Sequence, residues 1–149
     1  MGDSPNPGPP APADVPGQVA VVGGGTMGSG IVHVLLAAGI RTILCEVDDA
    51  ALERAVIMVT TSLEGAESRG KLRETVPQTL ARLITTTAHV RLGEADVVIE
   101  AVPEIPDLKI QLLTSIERHL APDTVLATNT SSLSLKSLAK PLAHPHRFV

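Results

Sequence analysis

Apolar and polar positions along the chain first take on a regular pattern at Val19. The run VAVV (19–22) is wholly apolar and ends at glycines, as a strand buried on both faces would. Beyond it, GSGIVHVLLAAG places apolar residues at Ile31, Val34, Leu35 and Ala38, which is helical spacing. Gly39 then stands where a helix ends in a left-handed turn. TILCE (42–46) reads as a second buried strand. Strand, glycine turn, helix and strand in that order make a βαβ unit, whose crossover is expected to be right-handed.

The alternation continues. Asp48 or Asp49 can cap a helix whose apolar face is Leu52, Val56, Val59 and Leu63. The segment from Gly65 to Gly70 interrupts it, and a further helical stretch is expected from about Pro77 to Leu83. ITTT (84–87) is β-branched throughout and reads as a strand, as does ADVVIEAV (95–102). Pro106 suits a first helical position, and Leu108, Leu112, Ile116 and Leu120 stripe the helix it would open. TVLAT (124–128) is another buried strand, followed by NTSSL and a short helix ending near Pro141. Such alternation predicts an α/β, doubly wound, mostly parallel sheet, without internal repeats.

Composition narrows the possibilities. The hydrophobic share of 44% is enough for a buried core, and with one Phe and no Trp or Tyr that core must be aliphatic. The shortage of aromatics and a net charge of −4 argue against nucleic acid as a partner. No apolar run approaches the ~20 residues of a membrane helix, so a cytoplasmic protein with no membrane partner is expected. Cys45 is the single cysteine, which excludes an intrachain disulfide, and the five histidines form no close metal-ligand motif. Residues 1–17 are rich in proline and poor in apolar bulk. They are expected to be a disordered tail preceding one folded domain, 18–149.

The candidate chemistry lies in VVGGGTMGSGIV (21–32). Its glycines at G-x-G-x-x-G (Gly23, Gly25, Gly28) follow a strand and open a helix. The first would turn the chain off the strand, the second would let backbone approach a phosphate, and the third would let helix and strand pack closely. Free N–H groups at the helix start attract an anion. Glu46 closes the second strand, where a carboxylate binds the adenosine ribose hydroxyls and repels a 2′-phosphate. Together these features point to NAD held by Gly23, Gly24, Gly25, Thr26, Met27, Gly28 and Glu46 in a Rossmann-type domain.

VAVVGGGTMGSGI, ADVVIEAVPE followed by LK, and LATNTSSLSL occur in an order and spacing that resemble the NAD-binding domain of the 3-hydroxyacyl-CoA dehydrogenases of fatty-acid β-oxidation. The likeness covers about residues 18–149. It implies further NAD contacts from Glu104 and Lys109, and it places Ser131 between nicotinamide and the substrate's 3-oxygen, with Asn129 shaping that loop. It also implies a helical arm after the second strand, carrying a CoA site at Ser62 and Arg69, where the family has lysine at the second position. The partners so implied are an acyl-CoA substrate and either a homodimer mate or a separate C-terminal domain.

In the family the histidine general base follows an RF-aliphatic segment, and here RFV (147–149) ends the sequence. The resemblance therefore leads to the expectation that the base falls beyond Val149, that the C-terminal helical domain is absent, and that this chain alone is inactive. His144 and His146 precede the Arg-Phe pair and match variable loop positions. Two other readings stay open: a β-hydroxyacid dehydrogenase of the 6-phosphogluconate type, and a non-catalytic nucleotide-binding module.

Overall fold

The computed structural model describes residues 15–149; of the expected tail, residues 1–14 lie outside the described part. Five strands form one parallel sheet: β1 (Gln18–Val22), β2 (Arg41–Cys45), β3 (Leu83–Thr86), β4 (Val97–Glu100) and β5 (Val125–Thr128), in the order β3-β2-β1-β4-β5. Five helices connect them: α1 (Thr26–Ala37), α2 (Asp49–Ser68), α3 (Val76–Leu80), α4 (Pro106–Glu117) and α5 (Leu135–Ala139). The registers align Val22 with Cys45 and with Glu100, and Glu100 with Thr128, so the strands end level with one another. Phe148 pairs with Leu126 beyond β5, and the Thr128 amide donates to the Val149 carbonyl at 2.9 Å.

Alternation along the strands explains the two layers of helices. Val21 and Leu44 face Val32 and Leu36 of α1 and Ala55, Val59 and Leu63 of α2. Their neighbours Ala20, Val22, Ile43 and Cys45 face Leu113 and Ile116 of α4 and Leu138 of α5. Each fully buried aliphatic side chain contributes roughly 1.5–3 kcal/mol through removal from water. The sheet is thus buried on both faces, which requires the near-continuous apolar strands seen in the sequence.

Local signals set several boundaries. The Asp48 side chain accepts from the Ala51 amide at 2.7 Å and caps α2, the helical arm expected after the second strand. Gly39 has φ +85 and closes α1. A capping box between Thr75 and Gln78 starts α3 one residue before Pro77, and α3 ends at Leu80 because Leu83 already belongs to β3.

Two expectations change. Val34 is exposed and Val32 and Leu36 are buried, so the inward face of α1 lies further round than its apolar spacing indicated. Leu108 is likewise exposed, and α4 buries Lys109, Leu113, Ile116 and Glu117 in place of a pure leucine–isoleucine stripe. A 3-10 helix, His89–Glu94, occupies the stretch before β4, where the sequence offered no periodicity long enough to read.

Candidate functional site

The chain leaves β1 into a helix on one face of the sheet and leaves the adjacent β4 into a helix on the other. The connections therefore part above the strand ends and open a crevice, the usual ligand position in such sheets. It has a volume of about 710 Å³.

The glycine turn forms one wall. Gly23 has φ +95, a conformation open chiefly to glycine, and its amide donates to the Cys45 carbonyl at 3.0 Å. A Cβ on Gly28 would stand 1.8 Å from the Gly23 carbonyl oxygen, so only glycine lets α1 start this close to β1. Gly25 differs, because nothing lies within 4 Å of where its Cβ would be. It is the N-cap residue of α1 and brings no side-chain cap, so the first-turn amides face open space beside the exposed Thr26 and Met27. Ser29 is buried below, its hydroxyl donating to the carbonyl of Gly25 and fixing the turn from behind.

Glu46 forms the far end. Its Oε1 accepts from the Gly24 amide at 2.5 Å and its Oε2 from the Val47 amide at 3.1 Å. The carboxylate is thereby tied to the glycine turn while still lining the crevice. Arg54, one turn further into α2 than Ala51, lines it too. Nothing in the letters around Arg54 singles it out, since its place depends on how α2 lies across the strand ends.

The loop after β4 forms the opposite wall, and here the structure departs from the expectation. Glu104 lines the crevice, but Lys109 is 0% exposed and does not reach its surface. The Lys109 Nζ lies 2.8 and 2.9 Å from the two carboxylate oxygens of Glu100 and 2.9 Å from Oε1 of Glu104. Glu100, also 0% exposed, was not recognised from sequence: an acid closing the apolar run VVI looks there like any strand end. It additionally accepts from the Thr128 hydroxyl at 2.6 Å and the Val102 amide at 2.7 Å. Glu104 accepts from the hydroxyls of Thr130 at 2.6 Å and Ser132 at 2.8 Å. The Thr130 hydroxyl, with Lys109 and Ser132, holds the Glu104 carboxyl well below the usual carboxylate range, at about 2.

Asn129 and Ser131, in the loop after β5, complete the lining. The Asn129 amide donates to the Glu100 carbonyl at 2.8 Å, and Ser131 is exposed between the two residues whose hydroxyls Glu104 holds. The two expected CoA residues are elsewhere. Ser62 lies far along α2, 2.9 Å from Nδ1 of His33, and Arg69 caps the C-terminal end of that helix; neither lines the crevice. His144 and His146 border a separate depression with Glu117, Arg118 and Arg147. Among the described residues, no group of three His, Cys, Asp or Glu side chains could hold a metal ion.

The crevice fits a dinucleotide by its own geometry. The vacant space over Gly25 and the uncapped first turn of α1 admit a diphosphate, Glu46 stands one strand away as a hydrogen-bond acceptor, and Ser131 offers a hydroxyl at the other end. Residues 18–149 match the family model described as the 3-hydroxyacyl-CoA dehydrogenase NAD binding domain. The chain is 40% identical to a 3-hydroxyadipyl-CoA dehydrogenase of Escherichia coli, over 87% of this chain and 27% of that protein. Among solved structures, it superposes on FadB2 of M. tuberculosis with a TM-score of 0.87 at 36% identity, covering 91% of this chain and 48% of that one. The (S)-3-hydroxybutyryl-CoA dehydrogenase PaaH1 of Ralstonia eutropha gives a TM-score of 0.85 at 34% identity, with 90% and 48% covered. The chain thus spans less than half the length of each of these relatives.

Proposed function

The chain belongs to the NAD-binding domain family of the 3-hydroxyacyl-CoA dehydrogenases, and we propose from that premise that it supplies the cofactor-holding part of a site that oxidises 3-hydroxyacyl-CoA to 3-oxoacyl-CoA. One observation carries the reading. The glycine turn after β1, Glu46 after β2, Glu104 after β4 and Ser131 after β5 all line a single crevice at the point where the sheet's connections part.

The residues divide the work by position. Amides of the first turn of α1, at Thr26 and Met27, hold the diphosphate, with Gly25 leaving the approach open. Glu46, already oriented by the Gly24 amide, accepts the hydroxyls of the adenosine ribose and repels a phosphate there, which favours NAD over NADP. Arg54 flanks the same end and can lie against the adenine ring. NAD when bound supplies the hydride acceptor. Ser131 hydrogen-bonds the substrate's 3-oxygen and thereby orients the carbon to be oxidised. Glu104 shapes the wall beside it, and Lys109 acts from beneath through Glu104. The single folded unit over 18–149 belongs to the same reading.

CoA recognition at Ser62 and Arg69 requires the ligand to extend along the exposed seam between α1 and α2, where Ser62 meets His33, to the C-terminal end of α2. The Arg69, Lys71 and Arg73 cluster offers charge for its phosphates. Both the proton acceptor and the partner that closes the substrate side, a homodimer mate or a C-terminal domain, would come from outside residues 18–149.

Titration of the purified chain with NADH, followed by the enhancement of nicotinamide fluorescence, tests the reading. Saturable binding is expected, with NADPH much weaker and Glu46→Ala weakened roughly tenfold or more through the loss of charged hydrogen bonds. Equal binding of NADH and NADPH, or an unaffected Glu46→Ala variant, would contradict it.

A further inference from the structure

Three connections converge on one buried carboxylate. Glu100 closes β4 and receives the Thr128 hydroxyl from the end of β5, the Val102 amide from the loop that begins the crevice wall, and Nζ of Lys109 from α4. Lys109 then spans from this carboxylate to Glu104, and Glu104 takes the two hydroxyls flanking Ser131. The turn closes on itself where the Leu133 amide donates to Oγ1 of Thr130 at 3.1 Å. The order is therefore Glu100, Lys109, Glu104, Thr130 and Ser132, from a side chain that no solvent reaches to the exposed rim of the crevice.

A buried ion pair is a poor way to gain stability, because desolvation offsets most of the attraction. Such a pair is well suited to fixing direction. Two bonds from Glu100 to a single ammonium leave Lys109 one remaining donor, and the geometry aims it at Glu104. Without Glu100, the ammonium keeps only the half-exposed Glu104 as a partner among the described ion pairs, and its interior anchor is gone, so the Glu104 end of the Thr130–Ser132 turn loses its buried support.

We propose that Glu100 is a positioning residue of the crevice: its carboxylate holds Lys109 against Glu104, and Glu104 in turn sets the Thr130–Ser132 turn that presents Ser131. The role of this turn toward a cofactor rests on the reading given under Proposed function, whereas the mechanical linkage does not.

Amide hydrogen exchange on the full chain separates the two. In Glu100→Gln, exchange at Leu133 should accelerate roughly tenfold, the scale of one lost charged hydrogen bond. Glu104→Gln should do the same, and the double variant should add nothing, because both changes break one linkage. Glu117→Gln serves as the control. It removes another buried carboxylate, which holds the Ala143 and His144 amides at the far side of α4, and should leave Leu133 unchanged. If Glu100→Gln does not fold, the paired variant Glu100→Gln with Lys109→Met leaves no unmatched interior charge and should fold with Leu133 still exchanging fast. Wild-type protection at Leu133 in these Glu100 variants, or equal acceleration by Glu117→Gln, would overturn the proposal. NADH affinity is read on the same samples. A loss in Glu100→Gln supports the positioning role, and unchanged affinity in folded Glu100→Gln overturns it. A wild type that binds no NADH, while Leu133 responds as expected, removes the cofactor reading and leaves the linkage standing.

Discussion

Gly25 and Gly28 look alike in the sequence and do opposite things in the fold. A methyl group on Gly28 would meet the Gly23 carbonyl at 1.8 Å, whereas one on Gly25 would meet nothing. Gly28→Ala is therefore expected to unfold the domain or lower its melting temperature severely. Gly25→Ala should melt within a few degrees of wild type and yet bind NADH more weakly, because its methyl occupies space meant for the diphosphate. Thermal melts beside NADH titrations of the two variants check this contrast. Glu104 gives a second test. Its carboxyl is held from 4.5 down to about 2, chiefly by the Thr130 hydroxyl, so its stabilising effect is complete above about 4.5 and is lost as the pH falls toward 2. Urea midpoints measured from pH 5 to pH 3 should fall less steeply in Glu104→Gln than in wild type. The glycines and Glu46 were legible from sequence because their chemistry is local to one βαβ unit. Glu100 and the burial of Lys109 were not, since nothing in a chain of letters tells a lysine paired in the interior from one on the surface.

At the scale of elements, the strands were the easiest to recognise, because strands covered on both faces run almost continuously apolar and leave no phase to misjudge, while the edge strand β3 was read from its β-branched residues. Helices carry a phase, and two of them were misjudged. On α4 the leucine and isoleucine spacing pointed to Leu108, but the helix turns Lys109 inward to meet Glu100, which carries Leu108 round to the solvent side. Leu113→Ala should accordingly cost about 2–5 kcal/mol by leaving a cavity, and Leu108→Ala should stay within about 0.5 kcal/mol of wild type. Denaturant unfolding of both variants decides between the observed and the expected face. Lys109→Met alone should cost about 3–5 kcal/mol, because it strands a buried carboxylate. On α1 the same kind of error set Val34 inward, whereas it is exposed and the residues that pack are Val32 and Leu36.

For the whole molecule, the sheet order β3-β2-β1-β4-β5 brings four loops remote in sequence to one edge of the strands. The family likeness extends over residues 18–149, and the crevice lies wholly within that span. Cys45 closes β2 and is 0% exposed, with burial pushing its thiol up to about 11. It should resist iodoacetamide at pH 8 until the domain unfolds globally, so its alkylation rate reports the stability of the whole sheet. The most direct test of the central claim, that this crevice holds NAD, is hydrogen exchange across the chain with and without NADH. Slowed exchange is predicted at 23–29, 46–54, 101–104 and 129–131, with 89–94 and 143–148 unchanged. Uniform exchange in both states, or protection centred on the depression around His144 and Arg147, would contradict it.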